Sequence, residues 1–149
     1  MSCLAYRHYD PAVAVTKSTA SLLAMTALDT TNLRNVFTAP ASGRVLVRQQ
    51  CVIHGATTAP QILLGVLEGA TVRGRVAPRL NAANVAATSL IVALAEVVIG
   101  ALTPGTQYTW DAAYDVQTVV AATAIKYGGP NDTTANNAFG GYLFEIWTA

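Results

Sequence analysis

TPGTQYTWDAAYDVQ, residues 103–117, opens on a turn and then alternates. Pro104 followed by Gly105 suits a type II turn, because proline presets φ at the second position and glycine accepts positive φ at the third. From Tyr108 onward, Tyr108, Trp110, Ala112, Tyr114 and Val116 fall on one side of an extended chain. Thr109, Asp111, Ala113, Asp115 and Gln117 fall on the other. Side chains change faces at every strand residue, so the pattern predicts a strand with one apolar, aromatic face and one wet face.

The same rhythm runs outward in both directions. GRVLVRQQCVIH (43–54) sets Val45, Val47, Cys51 and Ile53 against Arg44, Arg48 and Gln50, with Gln49 as a polar misfit on the apolar side. RNVFT (34–38), QILLGVLEG (61–69), VRGRVAP (72–78), TAIKYGG (123–129) and GYLFEIWTA (141–149) read as further strands. Gly65, in the middle of a run, marks a bulge or a point of close backbone approach. SLIVALAEVVI (89–99) is long enough for a helix, but its β-branched residues and its place among strands make it a strand. AVAVT (12–16) and SLLAMTAL (21–28) are short apolar runs; NAANVAATS (81–89) and GGPNDTTANNA (128–138) read as loops. The expectation is an all-β protein, a single jelly-roll-like β-sandwich of about 8–10 antiparallel strands. The sandwich is expected over residues 31–149, with residues 1–30 as an arm or as added strands.

The chain has 149 residues, of which 11% are charged and 52% hydrophobic. An average soluble domain carries about 25% charged residues. So little charge predicts that part of the apolar surface meets another subunit. A net charge of +1 speaks against nucleic acid as a partner, since wrapping phosphates takes clustered Lys and Arg in excess. MSCLAYRHYDP lacks the basic and apolar regions of a signal peptide, and the longest apolar stretch, residues 90–102, is too short and too interrupted to span a bilayer. Synthesis in the cytoplasm, with no membrane partner, is the resulting expectation.

No catalytic or metal constellation stands out. His8 and His54, with Cys3 and Cys51, show no ligand-like pairing, so no cofactor is expected. Cys51 reads as a buried hydrophobe and Cys3 as a free thiol near the terminus. The serines sit in no nucleophile elbow, and no phosphate-binding glycine motif appears. Asp111 and Asp115 lie about 13 Å apart along a strand, too far for a carboxylate dyad, and read as a solvated face. Asp132 with its neighbouring asparagines is too sparse for a strong calcium site. Arg44, Arg48, Arg73, Arg75 and Arg79 would form a basic strip for an acidic protein partner if strands 43–54 and 72–78 were neighbours. Tyr6, Arg7, His8 and Tyr9 are the candidate contacts of the arm. The partner-binding candidates are thus Tyr6, Arg7, His8, Tyr9, Arg44, Arg48, Arg73 and Arg75.

Three stretches together resemble C1q- and TNF-like jelly rolls: VFTAPASGRVLVR (36–48), LTPGTQYTWDAAYDV (102–116) and AFGGYLFEIWTA (138–149). The likeness covers roughly residues 33–149. In size and in its Ala- and Thr-rich composition the chain also looks like small structural proteins of tailed bacteriophages: capsid decoration (cement) proteins, head fibres and minor tail proteins. The resemblance implies a non-enzymatic virion protein, a homotrimer that binds the major capsid protein on the outer shell and braces it. A tail or fibre domain that binds a host receptor or glycan is the alternative; Trp147, Tyr127 and the loop 129–138 would then offer the lectin-like site. The extra N-terminal stretch of about 30 residues departs from the pattern.

Overall fold

In the computed structural model, residues 1–11, 13–18, 25–55, 62–76, 90–116, 124–129 and 141–149 are described. They form eleven strands: β1 (Cys3–Tyr9), β2 (Val15–Ser18), β3 (Thr26–Ala27), β4 (Arg34–Thr38), β5 (Val45–Gly55), β6 (Ile62–Glu68), β7 (Thr71–Val76), β8 (Leu90–Ile99), β9 (Gln107–Val116), β10 (Ala124–Tyr127) and β11 (Tyr142–Thr148). The long segment that could have been a helix is β8, paired with β5 along its whole length from Val45↔Ile99 to His54↔Leu90.

The strands form two antiparallel sheets. One runs β1-β11-β5, with β8 on the other side of β5; β10 and β2 extend it where β11 ends. The second runs β9-β6-β7, with β4 and β3 pairing successive parts of β9. Of the connections among β4 to β9, only β6–β7 is a hairpin within one sheet and every other one changes sheets. That alternation is the connectivity of a double-sheet jelly roll.

In the N-terminal stretch β1, β2 and β3 join the two sheets. β1 pairs with β11 from Cys3↔Trp147 to Tyr9↔Tyr142, and β2 pairs with β10. The charged and aromatic letters of YRHY hid this strand: at a sheet edge only Leu4, Ala5 and Tyr9 pack on the core.

Between the sheets lie Val45, Val47, Cys51, Phe144 and Ile146 from one side and Leu64, Val66, Trp110, Tyr114 and Val116 from the other. Burying such aliphatic and aromatic groups contributes roughly 1.5–3 kcal/mol each before chain entropy is counted. Phe37 meets Trp110 edge to face at 4.7 Å between ring centres. Three buried polar links cross the core. Asn35 Nδ2 donates to the Phe144 carbonyl at 2.9 Å, and the Tyr127 hydroxyl donates to the Leu28 carbonyl at 3.0 Å. Gln49, the misfit, donates through Nε2 to the Gly65 carbonyl at 2.8 Å and accepts from the Tyr142 hydroxyl. A buried amide is tolerated only when it is satisfied in this way.

Gly65 is a point of close approach. A Cβ there would fall on the Gly74 carbonyl oxygen and 2.6 Å from Met25 Cε, and the ladder slips beside it, between Val66 and Leu67. The turn before β9 is as read: Thr106 N donates to the Thr103 carbonyl at 3.1 Å, with Gly105 at φ +78°.

Candidate functional site

Residues opposite one another in an antiparallel ladder share a face. The registers therefore list what the first sheet shows to the outside. In β1-β11-β5-β8 order, three transverse rows stand there: Tyr6, Glu145, Arg48, Glu96; His8, Leu143, Gln50, Leu94; and Cys3, Trp147, Leu46, Val98. Val52 opposite Val92 continues the face at one end. Tyr6 is 64% exposed, Val92 43% and Val98 50%, with half-buried Leu46, Leu94, Leu143 and Trp147 between them. The result is a four-strand face on which aliphatic and aromatic groups flank one charged row.

Its charge is gathered in one row. Arg48 Nε donates to Glu96 Oε1 at 2.9 Å, and its Nη1 stands 3.7 Å from Glu145 Oε2. The guanidinium side chain keeps 40% of its exposure, against 20% for Glu96 and 15% for Glu145. Pairing within the row lowers the penalty of covering it, although Glu96 and Glu145 share the single Arg48.

The expected basic strip does not form. β5 and β7 belong to different sheets, so Arg44 and Arg48 stand apart from Arg73 and Arg75. Arg79 lies outside the described residues. Three of the four are already held by carboxylates. Arg48 has its row, Arg73 Nε contacts Glu68 Oε2 at 2.6 Å, and Arg75 Nε stands 3.0 Å from Asp115 Oδ2. Arg73 also lies over the Tyr108 ring, 5.9 Å from its centre. Arg44 is exposed beyond the start of β5. Of the arm candidates, Tyr6 and His8 join the outer face through their registers, Arg7 donates to the Arg34 carbonyl at 2.8 Å, and Tyr9 turns toward the core.

Asp111 and Asp115 were expected in water and are buried instead, at 4% and 0% exposure. β9 is central in its sheet, and on its second face Met25 packs with Leu67 and Ala113. Arg34 grips Asp111 with two hydrogen bonds, of 2.7 and 2.8 Å. Asp115 is less well served. Neither of its oxygens accepts a well-aligned hydrogen bond, so burial raises its pKa while the Arg75 charge partly opposes this. Alternation reports only the face of a residue, and nothing local announced the cover over this one.

Cys51 is buried, and its thiol pKa is raised by desolvation; Cys3 is exposed. Tyr127 is fully buried, which removes it as the aromatic floor of a glycan site. The loop beyond Gly129, with Asp132, lies outside the described residues, as does the side chain of His54. Among the described residues no three His, Cys, Asp or Glu converge as metal ligands, and no helix is long and apolar enough to cross a membrane.

No family model matches the chain, and no curated protein matches it. Among solved structures, it is similar to the structure of infectious bursal disease virus Gt strain, with 12% identity over 97% of this chain and a TM-score of 0.45. The structure of the Gx strain gives 13% identity over 98% of this chain at 0.36, and the VP2 subviral particle of the same virus 9% over 97% at 0.36. This chain spans 37%, 38% and 41% of those chains. At such scores the likeness carries no functional argument, and the sandwich rests on the strand pairing itself.

Proposed function

We propose that this chain is a structural protein of a virion, which acts by covering surface and not by chemistry. The finer form of the reading, implied by the sequence resemblance, is a bacteriophage decoration protein that binds the outer surface of the capsid and braces the shell, with trimers as the oligomer implied by that resemblance. One observation carries it: the outer face of the β1-β11-β5-β8 sheet, where Tyr6, Val92 and Val98 stand exposed around an internally paired charged row. Large apolar patches on soluble proteins mark interaction sites. Repetition on a symmetric lattice multiplies weak contacts into firm attachment.

The test is co-sedimentation of the purified chain with undecorated phage capsids. The reading expects saturable pelleting at micromolar protein, and release of packaged DNA at a higher temperature once the shells are coated. Shells that neither bind the protein nor gain thermal resistance would defeat it.

A further inference from the structure

The order of strands on the outer face has a symmetry of its own. β11 and β5 are the central pair, with β1 and β8 outside them. Take a two-fold axis lying in the plane of the face, parallel to the strands and midway between β11 and β5. Rotation about it lays β5 of one copy over β11 of the other, and β8 over β1. The register then fixes who meets whom. Arg48 and Glu145 are direct partners in the ladder, so each Arg48 comes to lie over the other copy's Glu145, twice, on either side of the axis. Leu46 and Trp147 are likewise partners, so each leucine meets the opposite tryptophan. In the outer columns, Glu96 comes over the opposite Tyr6 hydroxyl, because both stand in the same transverse row.

We infer that this face is a two-fold interface between two copies of the chain, with reciprocal Arg48–Glu145 pairs at its centre. The inference rests on the reading of the same face as a contact surface and names a second copy as its occupant, in place of the trimer that the resemblance implies; a shell would then be met by the other surfaces of the dimer. Within one copy the Arg48–Glu145 contact is long, 3.7 Å, and the guanidinium is the most exposed of the three charged groups in the row. A second copy offers each partner a closer counter-charge. An isologous contact must be self-complementary, and a ladder that sets an arginine beside a glutamate at the centre of a symmetric four-strand face meets that condition. The size fits as well. Four strands about 4.8 Å apart and seven to eight residues of about 3.4 Å rise give roughly 500 Å² per copy. The total of about 1,000 Å² is at the lower limit for a specific interface, so the dimer is reversible.

Complementary charge reversal tests this with the full chain. Sedimentation velocity from 1 to 200 μM should show the native chain passing from monomer to dimer. Arg48→Glu alone places acid over acid across the axis, and Glu145→Arg alone places base over base. Each should weaken self-association at least tenfold, with circular dichroism showing the sheet intact. An equimolar mixture of the two restores both cross-axis pairs and should recover the dimer. Val98→Lys, at an exposed position on the same face, should also give a folded monomer. A native chain that stays monomeric or forms trimers, single reversals that dimerise as the native chain does, or a mixture that remains monomeric would each overturn the two-fold interface. Capsid co-sedimentation separates the two readings: a protein without this dimer that still pellets with shells removes the interface and leaves the virion role standing.

Discussion

Replacing Gln49 by leucine keeps the volume but removes the amide that ties β5 to β6 and β11. The native side chain is 2% exposed and makes two hydrogen bonds, to the Gly65 carbonyl and from the Tyr142 hydroxyl. Gln49→Leu therefore strands two polar groups inside the sandwich. A buried group left without a partner costs about 1–3 kcal/mol. Some relaxation is available at the Gly65 carbonyl, so the expected loss is about 2–4 kcal/mol. Tyr142→Phe leaves only the glutamine oxygen orphaned and should cost about 1–2 kcal/mol. In the double variant the hydroxyl that the leucine strands is already gone. The combined loss should fall short of the sum by about 1 kcal/mol or more, as expected of groups within one network. Urea unfolding reads this directly. With a slope of about 2 kcal/mol per molar, Gln49→Leu should lower the midpoint by about 1–2 M. A midpoint unchanged by Gln49→Leu, or losses that simply add, would show that the amide does not link the sheets as described.

Gly65→Ala should destabilise by several kcal/mol or prevent folding, because its methyl would meet the Gly74 backbone as well as the flexible Met25 side chain; Met25→Ala should not rescue it, as thermal melting of both variants will show. The raised pKa of Asp115 has a definite sign: the unfolded state loses this proton first, near pH 4, so the group's contribution falls as pH rises from there through its folded value. Asp115→Asn should remove that component of the slope when urea midpoints are compared across pH 4–7, and identical slopes would contradict the assignment. A thiol reagent should titrate one cysteine, Cys3, in the native protein and two in denaturant, since Cys51 is buried and held as the thiol; mass spectrometry of the labelled peptide identifies the site.

The sandwich was readable because period-two alternation needs only local information. Val45, Val47, Cys51 and Ile53 had to share a face, and so did Tyr114 and Val116, whichever strands flanked them. The Pro104–Gly105 turn was equally local, since it depends on the φ preferences of two residues. Gln49 was visible as an exception, though not its partners, which lie 16 and 93 residues away in the chain. β1 escaped because an edge strand buries few of its side chains, and YRHY carries no apolar period.

The candidate face belongs almost wholly to tertiary structure. The sequence by itself determined that Arg48 and Gln50 point away from the core, and Leu46 follows by the same alternation. Which residues stand beside them was decided when β5 took β11 on one side and β8 on the other, gathering Glu145, Trp147, Glu96 and Val98 from far along the chain. The same pairing set Arg73 and Arg75 in the opposite sheet and so dissolved the expected basic strip. It also left Asp111 and Asp115 buried against Arg34 and Arg75 instead of in water. Alternation assigns each residue to a side of its own strand; what covers that side depends on long-range strand order, which is fixed by how all the apolar faces can be buried together.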